Sequence, residues 1–200
     1  AQNLQFGFNC DFIGLTPLPH GAYAPERLLM GVNHEYTTPD DMFPEITDKA
    51  SFATSYTKEH AEIEMAAVGF SVVELKKSST GDGDVVRPSP LNRRFSLLES
   101  HMAIEGPARG HARMKTRADK DGVCIEGTSS NCAGGVTPWG TFLTCEENFD
   151  SLFRGETQDA REATSQKRMN MTKKGRDFYR FDERFDKSKD ACEPNRYGWV

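Results

Sequence analysis

One segment of the sequence, residues 127–148, concentrates the side chains that could do chemistry. Cys132 lies there between an asparagine and three small residues, in a loop whose glycines allow the backbone to approach an ion or ligand closely. The predicted strand that follows ends in Glu146 and Glu147, and neighbouring strand residues face opposite sides. At least one of the two carboxylates therefore faces the interior, where it needs a partner such as a metal ion.

The donor types in this segment indicate which ions could bind. A soft thiolate beside carboxylates suits a transition ion such as iron or zinc, whereas carboxylates alone suit calcium. Taken singly, a Gly-rich loop, a pair of strand-end glutamates and a lone cysteine are more often structural. Their clustering favours metal binding at Cys132, Glu146 and Glu147, with Asn131 and Trp139 as candidates for residues that support the ligands.

A second candidate follows the predicted strand 27–32, where His34 and Glu35 come next to each other. Both are possible ligands, but adjacent strand residues point to opposite faces. A structural hydrogen-bonding role for this pair is the more common outcome. Glu35 is therefore a candidate for a supporting residue near the metal site.

The cysteines exclude two common frameworks. They are five in number and no two form a Cys-x-x-Cys pair; they are Cys10, Cys124, Cys132, Cys145 and Cys192. Neither a disulfide scaffold nor a zinc ribbon is indicated. One cysteine can have a chemical role while others form disulfides in an oxidising compartment. The sequence alone does not select the pairs.

Short strands and one helix must position these residues. Apolar residues over 58–68 follow helical spacing, which predicts a helix, and Gly69 lies where a helix would end. Val, Phe and Thr-rich runs bounded by turn residues predict strands. These strands are predicted over 27–32, 70–75, 123–126, 141–145 and 178–181.

Two segments carry less regular patterns. Residues 155–175 are charged and poorly periodic, which predicts a surface insertion or a mobile loop. Residues 195–200 have the pattern of a buried strand that is just starting. The chain is therefore expected to end within a domain.

Composition narrows the class of protein. The chain has 200 residues, a formal net charge of -5, 36% hydrophobic residues and a mean hydropathy of -0.64, which is typical of a folded polar domain rather than a disordered tail. The mild acidity and lack of a basic stripe argue against nucleic acid as a partner. No run approaches the roughly 18 apolar residues of a membrane span, and the first twenty residues lack a secretory signal pattern.

Short strands with Gly, Pro and Asn between them and a single predicted helix favour a mostly β fold, such as a sandwich, barrel or propeller. Residues 131–148, Asn-Cys-Ala-Gly-Gly-Val-Thr-Pro-Trp-Gly-Thr-Phe-Leu-Thr-Cys-Glu-Glu-Asn, closely resemble the signature of PhoX-type bacterial alkaline phosphatases. Further segments support the resemblance in the same order along the chain. They are residues 6–9, 33–37, 65–74, 89–94, 106–108 and 197–200.

The resemblance implies a β-propeller of about six blades with an active site of ferric and calcium ions near its axis. Phosphate monoesters are the implied substrates, and inorganic phosphate is the product. Cys132 corresponds to the thiolate that ligates iron, which makes Cys132 and Glu147 the implied catalytic residues, with Glu146 a further metal ligand. The ions would stabilise charge on the phosphoryl oxygens.

The resemblance also implies that the chain is part of a larger domain. Residues 1–200 correspond to the N-terminal portion of a single propeller domain, and such a fragment is expected to be inactive alone. Members of the family pass through the twin-arginine export machinery, so a periplasmic or secreted location and a role in phosphate acquisition are implied.

Two other functions remain compatible with the residues. One is a non-catalytic, propeller-like binding or scaffold protein that keeps the Gly-rich loop for structural reasons. The other is a propeller hydrolase that uses calcium alone, for example on lactones, because one fold can host unrelated chemistries.

Overall fold

Five strands form the principal sheet of the computed structural model, which describes residues 1–171 and 175–200. The strands are β1 (Cys10–Leu18), β2 (Arg27–His34), β3 (Gly69–Lys77), β4 (Gly83–Val85) and β5 (Arg93–Phe95). They are antiparallel in the order β1-β2-β3-β4. β4 pairs with the last residues of β3, and β5 pairs with its first residues. The ends of β2 and β3 that lie next to each other are buried, so the sheet is covered there.

Two further antiparallel strand pairs complete the named sheets of the described residues. β6 (His101–Ala103) pairs with β7 (Cys124–Glu126), and β8 (Asn131–Val136) pairs with β9 (Phe142–Glu146). β8 also packs against β1 and β2 of the principal sheet. The hairpin with the Gly-rich segment is thereby placed beside the first strand of the chain.

The helices of the described part are short. They are α1 (Pro39–Met42), α2 (Lys49–Ser55), α3 (Lys58–Ala67) and α4 (Ala160–Arg168), and 3-10 turns are frequent after residue 148. The apolar core lies between α3 and these C-terminal turns rather than across the sheet. Its largest fully buried members include Leu97, Leu152, Phe153 and Phe185.

Helix α3 confirms the helix predicted over 58–68. Its N-terminus is a capping box in which the Thr57 side chain accepts from the amide of His60 and the His60 ring accepts from the amide of Thr57. Ala61 and Met65, one helical turn apart, are buried. Gly69 follows with a φ of +112°, and a Cβ there would lie 2.2 Å from the carbonyl oxygen of Phe95, so the tight passage into β3 requires glycine.

The fold is mainly sheet with few helices, as predicted. Within residues 1–171 and 175–200 the three sheets do not close into a barrel or propeller, so the propeller stays a prediction. No helix in these two ranges combines the length and the apolar character that crossing a bilayer needs.

The strand predicted at 178–181 is wrong, because Asp177–Arg180 is a 3-10 helix. In such a turn, residues three apart share a face. Phe178 is buried beside Phe185, and Phe181 packs against the same core. The aromatic spacing therefore reflects one face of a helical turn and not the alternation of a strand.

The segment 155–175 contains regular structure, namely helix α4. Asp159 caps this helix by accepting from the amides of Arg161 and Glu162. The buried face consists of Glu162 and Gln166, which are polar, so a search for apolar periodicity misses the helix. The predicted surface insertion stays a prediction, and its residues 172–174 lie outside the described residues.

The end of the chain differs from the strand start predicted over 195–200. Glu193–Arg196 is a 3-10 helix, and Trp199 and Val200 are exposed. The carbonyl of Trp199 accepts from the amide of Glu146 at 3.1 Å. The last residues thus meet the end of β9 through hydrogen bonds to Glu146, whose carboxylate also accepts from the amide of Gly198.

Candidate metal centre

A β-bulge near the start of β1 determines where Asp11 lies. Cys10 pairs with His34, whereas Ile13 pairs with Val32, so β1 has one residue more than β2 over this interval. An extra residue bends a strand and changes the direction of its side chains. Asp11 and Phe12 occupy the interval, at the end of β1 that lies next to the end of β2.

A second bulge determines where Cys132 lies. Asn131 pairs with Glu146, whereas Gly134 pairs with Thr144, so β8 has one residue more than β9. Cys132 is inside this interval. The same hairpin end holds Glu147, whose amide donates to the carbonyl of Ser130 at 2.8 Å.

The two bulges face each other across the contact between β1 and β8. Gly134 makes this contact possible, because a Cβ there would lie 2.4 Å from the ring of Phe12 and 2.9 Å from the carbonyl oxygen of Leu143. Glu35 follows β2 directly, and its amide donates to the carbonyl of Asn9 at 3.0 Å. Two strand ends and one bulged hairpin therefore converge.

Asp11, Glu35 and Cys132 meet at this point. One potential ligand atom from each of the three side chains lies within 4.8 Å of the other two. The negative charges of Asp11 and Glu147 both act on the Cys132 thiol, so Glu147 lies near the group. We call these four residues the acidic thiol cluster.

The electrostatics of the acidic thiol cluster favour a cation. The hydrogen bond to Asp11, followed by burial and the negative charges of Asp11 and Glu147, raises the pKa of the Cys132 thiol to about 12. Burial and the same two negative charges raise the pKa of Glu35 above its usual range. Like charges this close disfavour full ionisation, and a bound cation would reverse that by stabilising the thiolate and the carboxylates together.

The donor atoms of the cluster fit a metal ion that accepts both a soft sulfur ligand and hard oxygen ligands. Cys132 supplies sulfur, and Asp11, Glu35 and Glu147 supply oxygen. Sulfur with carboxylate oxygen suits a transition ion, while the carboxylates on the exposed side suit calcium. Asp11 and Glu147 are exposed and Cys132 and Glu35 are half-buried, so the cluster opens toward solvent and could admit a small ligand.

Glu146 lies apart from this cluster. Its carboxylate accepts from the Thr128 hydroxyl at 2.7 Å and from the amides of Ser129 and Gly198 at 3.2 and 2.8 Å. Burial nevertheless raises the pKa of Glu146. These contacts give Glu146 a structural role that joins the hairpin to the end of the chain.

The other residues singled out from the sequence take different positions. Asn131 is fully buried and donates to the hydroxyls of Thr128 and Thr144 at 2.9 and 3.0 Å. Trp139 is 70% exposed, in the turn between β8 and β9. His34 is fully buried, with Nε2 2.8 Å from the Ser71 hydroxyl, while its neighbour Glu35 joins the cluster.

Asp11 is the functional candidate that sequence reasoning missed. It is the only charged residue between Phe6 and Leu18, in a run of aromatic, apolar and small polar residues. A lone charge in such a run is a signal that could have identified it. The bulge that turns Asp11 toward Cys132 leaves no such mark in the sequence.

The family profile described as alkaline phosphatase PhoX matches residues 1–200. The chain belongs to the PhoX alkaline phosphatase family. A search of curated protein sequences finds no significant match.

Among solved structures, the chain is similar to one described as Pseudomonas fluorescens PhoX in complex with vanadate, a transition state analogue. The two share 38% sequence identity with a TM-score of 0.83 over 100% of this chain. This chain spans 33% of the length of that PhoX chain. The likeness therefore applies to one part of the PhoX structure.

Proposed function

We propose that this protein is a metal-dependent alkaline phosphatase that hydrolyses phosphate monoesters and releases inorganic phosphate. The observation that carries the proposal is the acidic thiol cluster of Asp11, Glu35, Cys132 and Glu147 in a chain of the PhoX family. The vanadate bound by the Pseudomonas fluorescens relative supports a phosphoryl-transfer reaction, because it is described there as a transition state analogue.

Iron and calcium are the ions we infer for the centre. The Cys132 thiolate would hold iron, and the carboxylates of Asp11, Glu35 and Glu147 would hold iron or calcium according to their hard-oxygen character. Bound cations would supply Lewis-acid stabilisation of the negative charge that develops on the phosphoryl oxygens. Glu146 as a further metal ligand stays a prediction; in the structure its carboxylate accepts hydrogen bonds from Thr128 and Gly198.

The residues of this chain contribute orientation and electrostatics. Two bulges fix the direction of Asp11 and Cys132, so the ligand atoms are held together before any ion arrives. This lowers the reorganisation needed on binding, which is the general advantage of a preorganised site. Glu147 is exposed, so its carboxylate would be free to hold a cation that also binds a phosphate ester.

The family resemblance supports three further inferences. The sheets described above belong to blades of a propeller of about six blades. The protein reaches the periplasm or the exterior through the twin-arginine export machinery. Small phosphate monoesters are its partners there, and it serves phosphate acquisition.

The test is elemental analysis of the longest native form of the protein, together with p-nitrophenyl phosphate hydrolysis with and without a chelator. Iron with calcium, and turnover that the chelator abolishes, would support the proposal. A Cys132→Ala variant should lose iron and activity, while a matched Cys124→Ala variant on β7 keeps both. Calcium without iron would favour a calcium-dependent hydrolase, and metal-free inactive protein would favour a binding or scaffold role.

A further inference from the structure

Asn33 makes an unusual set of contacts with the bulge that holds Cys132. It lies near the end of β2, two residues before Glu35, and its side chain is fully buried. Its Nδ2 donates to the carbonyl oxygens of Cys132 at 2.6 Å and of Ala133 at 3.1 Å. A single amide thus binds two successive carbonyls of the bulge.

These two hydrogen bonds satisfy a specific need. The extra residue of a bulge interrupts the ladder, so backbone groups there lose their regular partners. Both hydrogen bonds are part-buried, and a carbonyl that is shielded from water without a partner is destabilising. The amide of Asn33 supplies the missing donors from another sheet, and it therefore ties the position of the bulge to strand β2.

The amide of Asn33 is itself held in one orientation. Its Oδ1 accepts from the Thr144 hydroxyl at 2.7 Å, and that hydroxyl accepts from Asn131 Nδ2 at 3.0 Å. The acceptor on one side and the two carbonyls on the other allow only one placement of the amide oxygen and nitrogen. β2, β8 and β9 are joined through this one side chain.

We propose that Asn33 is a positioning residue for the metal centre: its amide holds the Cys132 bulge against the end of β2, so that the thiol meets Asp11 and Glu35. This inference rests on the proposed function, because it concerns the same centre. Asn33 itself contributes no ligand atom to the acidic thiol cluster. Its effect acts through the backbone of Cys132 and Ala133.

The chemistry of the contact selects the variants. Asn33→Asp keeps the size of the side chain but turns an oxygen toward the two carbonyls in place of the donor. Thr144→Val keeps the shape of Thr144 and removes the hydroxyl that orients the amide. Thr144→Ser keeps that hydroxyl and serves as the matched control.

The first readout is titration of chelator-stripped protein with Co²⁺, followed by thiolate-to-cobalt charge-transfer absorption. Asn33→Asp should weaken Co²⁺ binding about 10- to 100-fold, the range found for residues that orient metal ligands, and the charge-transfer band should shrink. Thr144→Val should weaken binding about tenfold, and Thr144→Ser should match the wild type. Far-UV circular dichroism checks that each variant is folded; if Asn33→Asp is not, the Thr144→Val and Thr144→Ser pair decides.

The second readout needs no metal. Alkylation of Cys132 by iodoacetamide, followed by peptide mass mapping in the metal-free protein, should be several-fold faster in Asn33→Asp, because the thiol is no longer held against Asp11. Unchanged alkylation together with an unchanged cobalt band in Asn33→Asp and Thr144→Val would overturn the positioning role. Wild-type protein that gives no cobalt band would contradict the proposed metal centre, while the alkylation rates would still decide whether Asn33 positions Cys132.

Discussion

Asp11 and Cys132 lie on separate strands, each in the interval widened by a β-bulge, and a carboxylate oxygen of Asp11 lies within 4.8 Å of the Cys132 sulfur. A shift of one residue in strand register moves a side chain to the opposite face. Two such local shifts, one in β1 and one in β8, therefore create a contact that regular pairing of the same residues would not give.

Removal of the thiol should remove the transition ion. Cys132→Ser replaces soft sulfur with a hydroxyl, and we expect iron content to fall at least about tenfold, since altered metal ligands cost more than altered supporting residues. Elemental analysis of the purified variant measures this. Cys124→Ser, also half-buried but on β7, should keep the wild-type metal content, and equal iron in both variants would contradict the assignment of Cys132.

The two glycines after Ala133 should tolerate alanine very differently. A Cβ at Gly134 would lie 2.4 Å from the Phe12 ring, whereas a Cβ at Gly135 meets no atom within 4 Å. Gly134→Ala should separate β8 from β1 and cost about 1–3 kcal/mol, as overpacking does, with weaker metal binding. Gly135→Ala should be nearly neutral in urea denaturation and Co²⁺ titration; equal losses in the two variants would refute the close approach of the bulged strands.

The C-terminal turns should show a pH-dependent stability that depends on Glu193. Burial raises the pKa of Glu193 to about 7, against an ordinary value of 4.5. The folded protein therefore binds this proton more tightly than the unfolded chain does, and the stabilisation present below pH 4.5 is lost as the pH rises to 7. At 1.36 kcal/mol per pKa unit, the loss is about 3 kcal/mol.

Urea denaturation at several pH values tests this expectation. Glu193→Gln removes the titrating carboxyl. The free energy of unfolding of the variant minus that of the wild type should therefore increase as the pH rises from 4.5 to 7. Above pH 7 the difference should stay constant. Two curves that run parallel through this window would rule out Glu193 as the source.

Helix α4 should depend on a buried ion pair. Glu162 is fully buried and accepts from Arg113 Nε and Nη2 at 2.7 and 2.8 Å and from Asn195 Nδ2 at 3.0 Å. Glu162→Gln should destabilise the protein by about 1–3 kcal/mol, since it leaves the half-buried Arg113, whose side chain is 31% exposed, without its counter-charge. Thermal or urea unfolding measures the change.

An exposed ion pair provides the control for Glu162. Glu183 and Arg117 are 2.7 Å apart with both side chains more than half exposed. Glu183→Gln should cost at most about 1 kcal/mol. If both variants lost the same stability, burial of the Glu162 pair would not be what stabilises α4.

Local sequence patterns predicted some elements well and others not at all. Helix α3 could be predicted because its cap at Thr57, its apolar spacing and Gly69 all agree. Helix α4 could not, because the face it buries consists of Glu162 and Gln166, whose partners are distant in sequence. The turn at Phe178 was mistaken for a strand because two aromatic residues three apart fit a short strand nearly as well as a helical turn.

The same limit applies to the candidate site. Cys132 and Glu147 were singled out by residue type and by family resemblance, and the structure brings both together with Glu35. Asp11 depends on a bulge and on contact between strands more than a hundred positions apart, which no local pattern encodes. Residue type alone does not separate Glu146 from Glu147; the family resemblance favours Glu147, and the pairing of β9, which ends at Glu146, gives the two carboxylates different environments.

The positions of the cluster along the chain also constrain the order of events during synthesis. Asp11 and Glu35 leave the ribosome before Cys132 and Glu147, which follow after about a hundred further residues, at roughly 5–20 residues per second. During that interval an ion could meet at most two carboxylates of the future centre, and these prefer hard cations such as calcium or magnesium. In the proposed centre, selection of a transition ion would therefore wait until the hairpin of β8 and β9 has docked on β1, so that metal choice would be a property of the folded protein and not of the nascent chain.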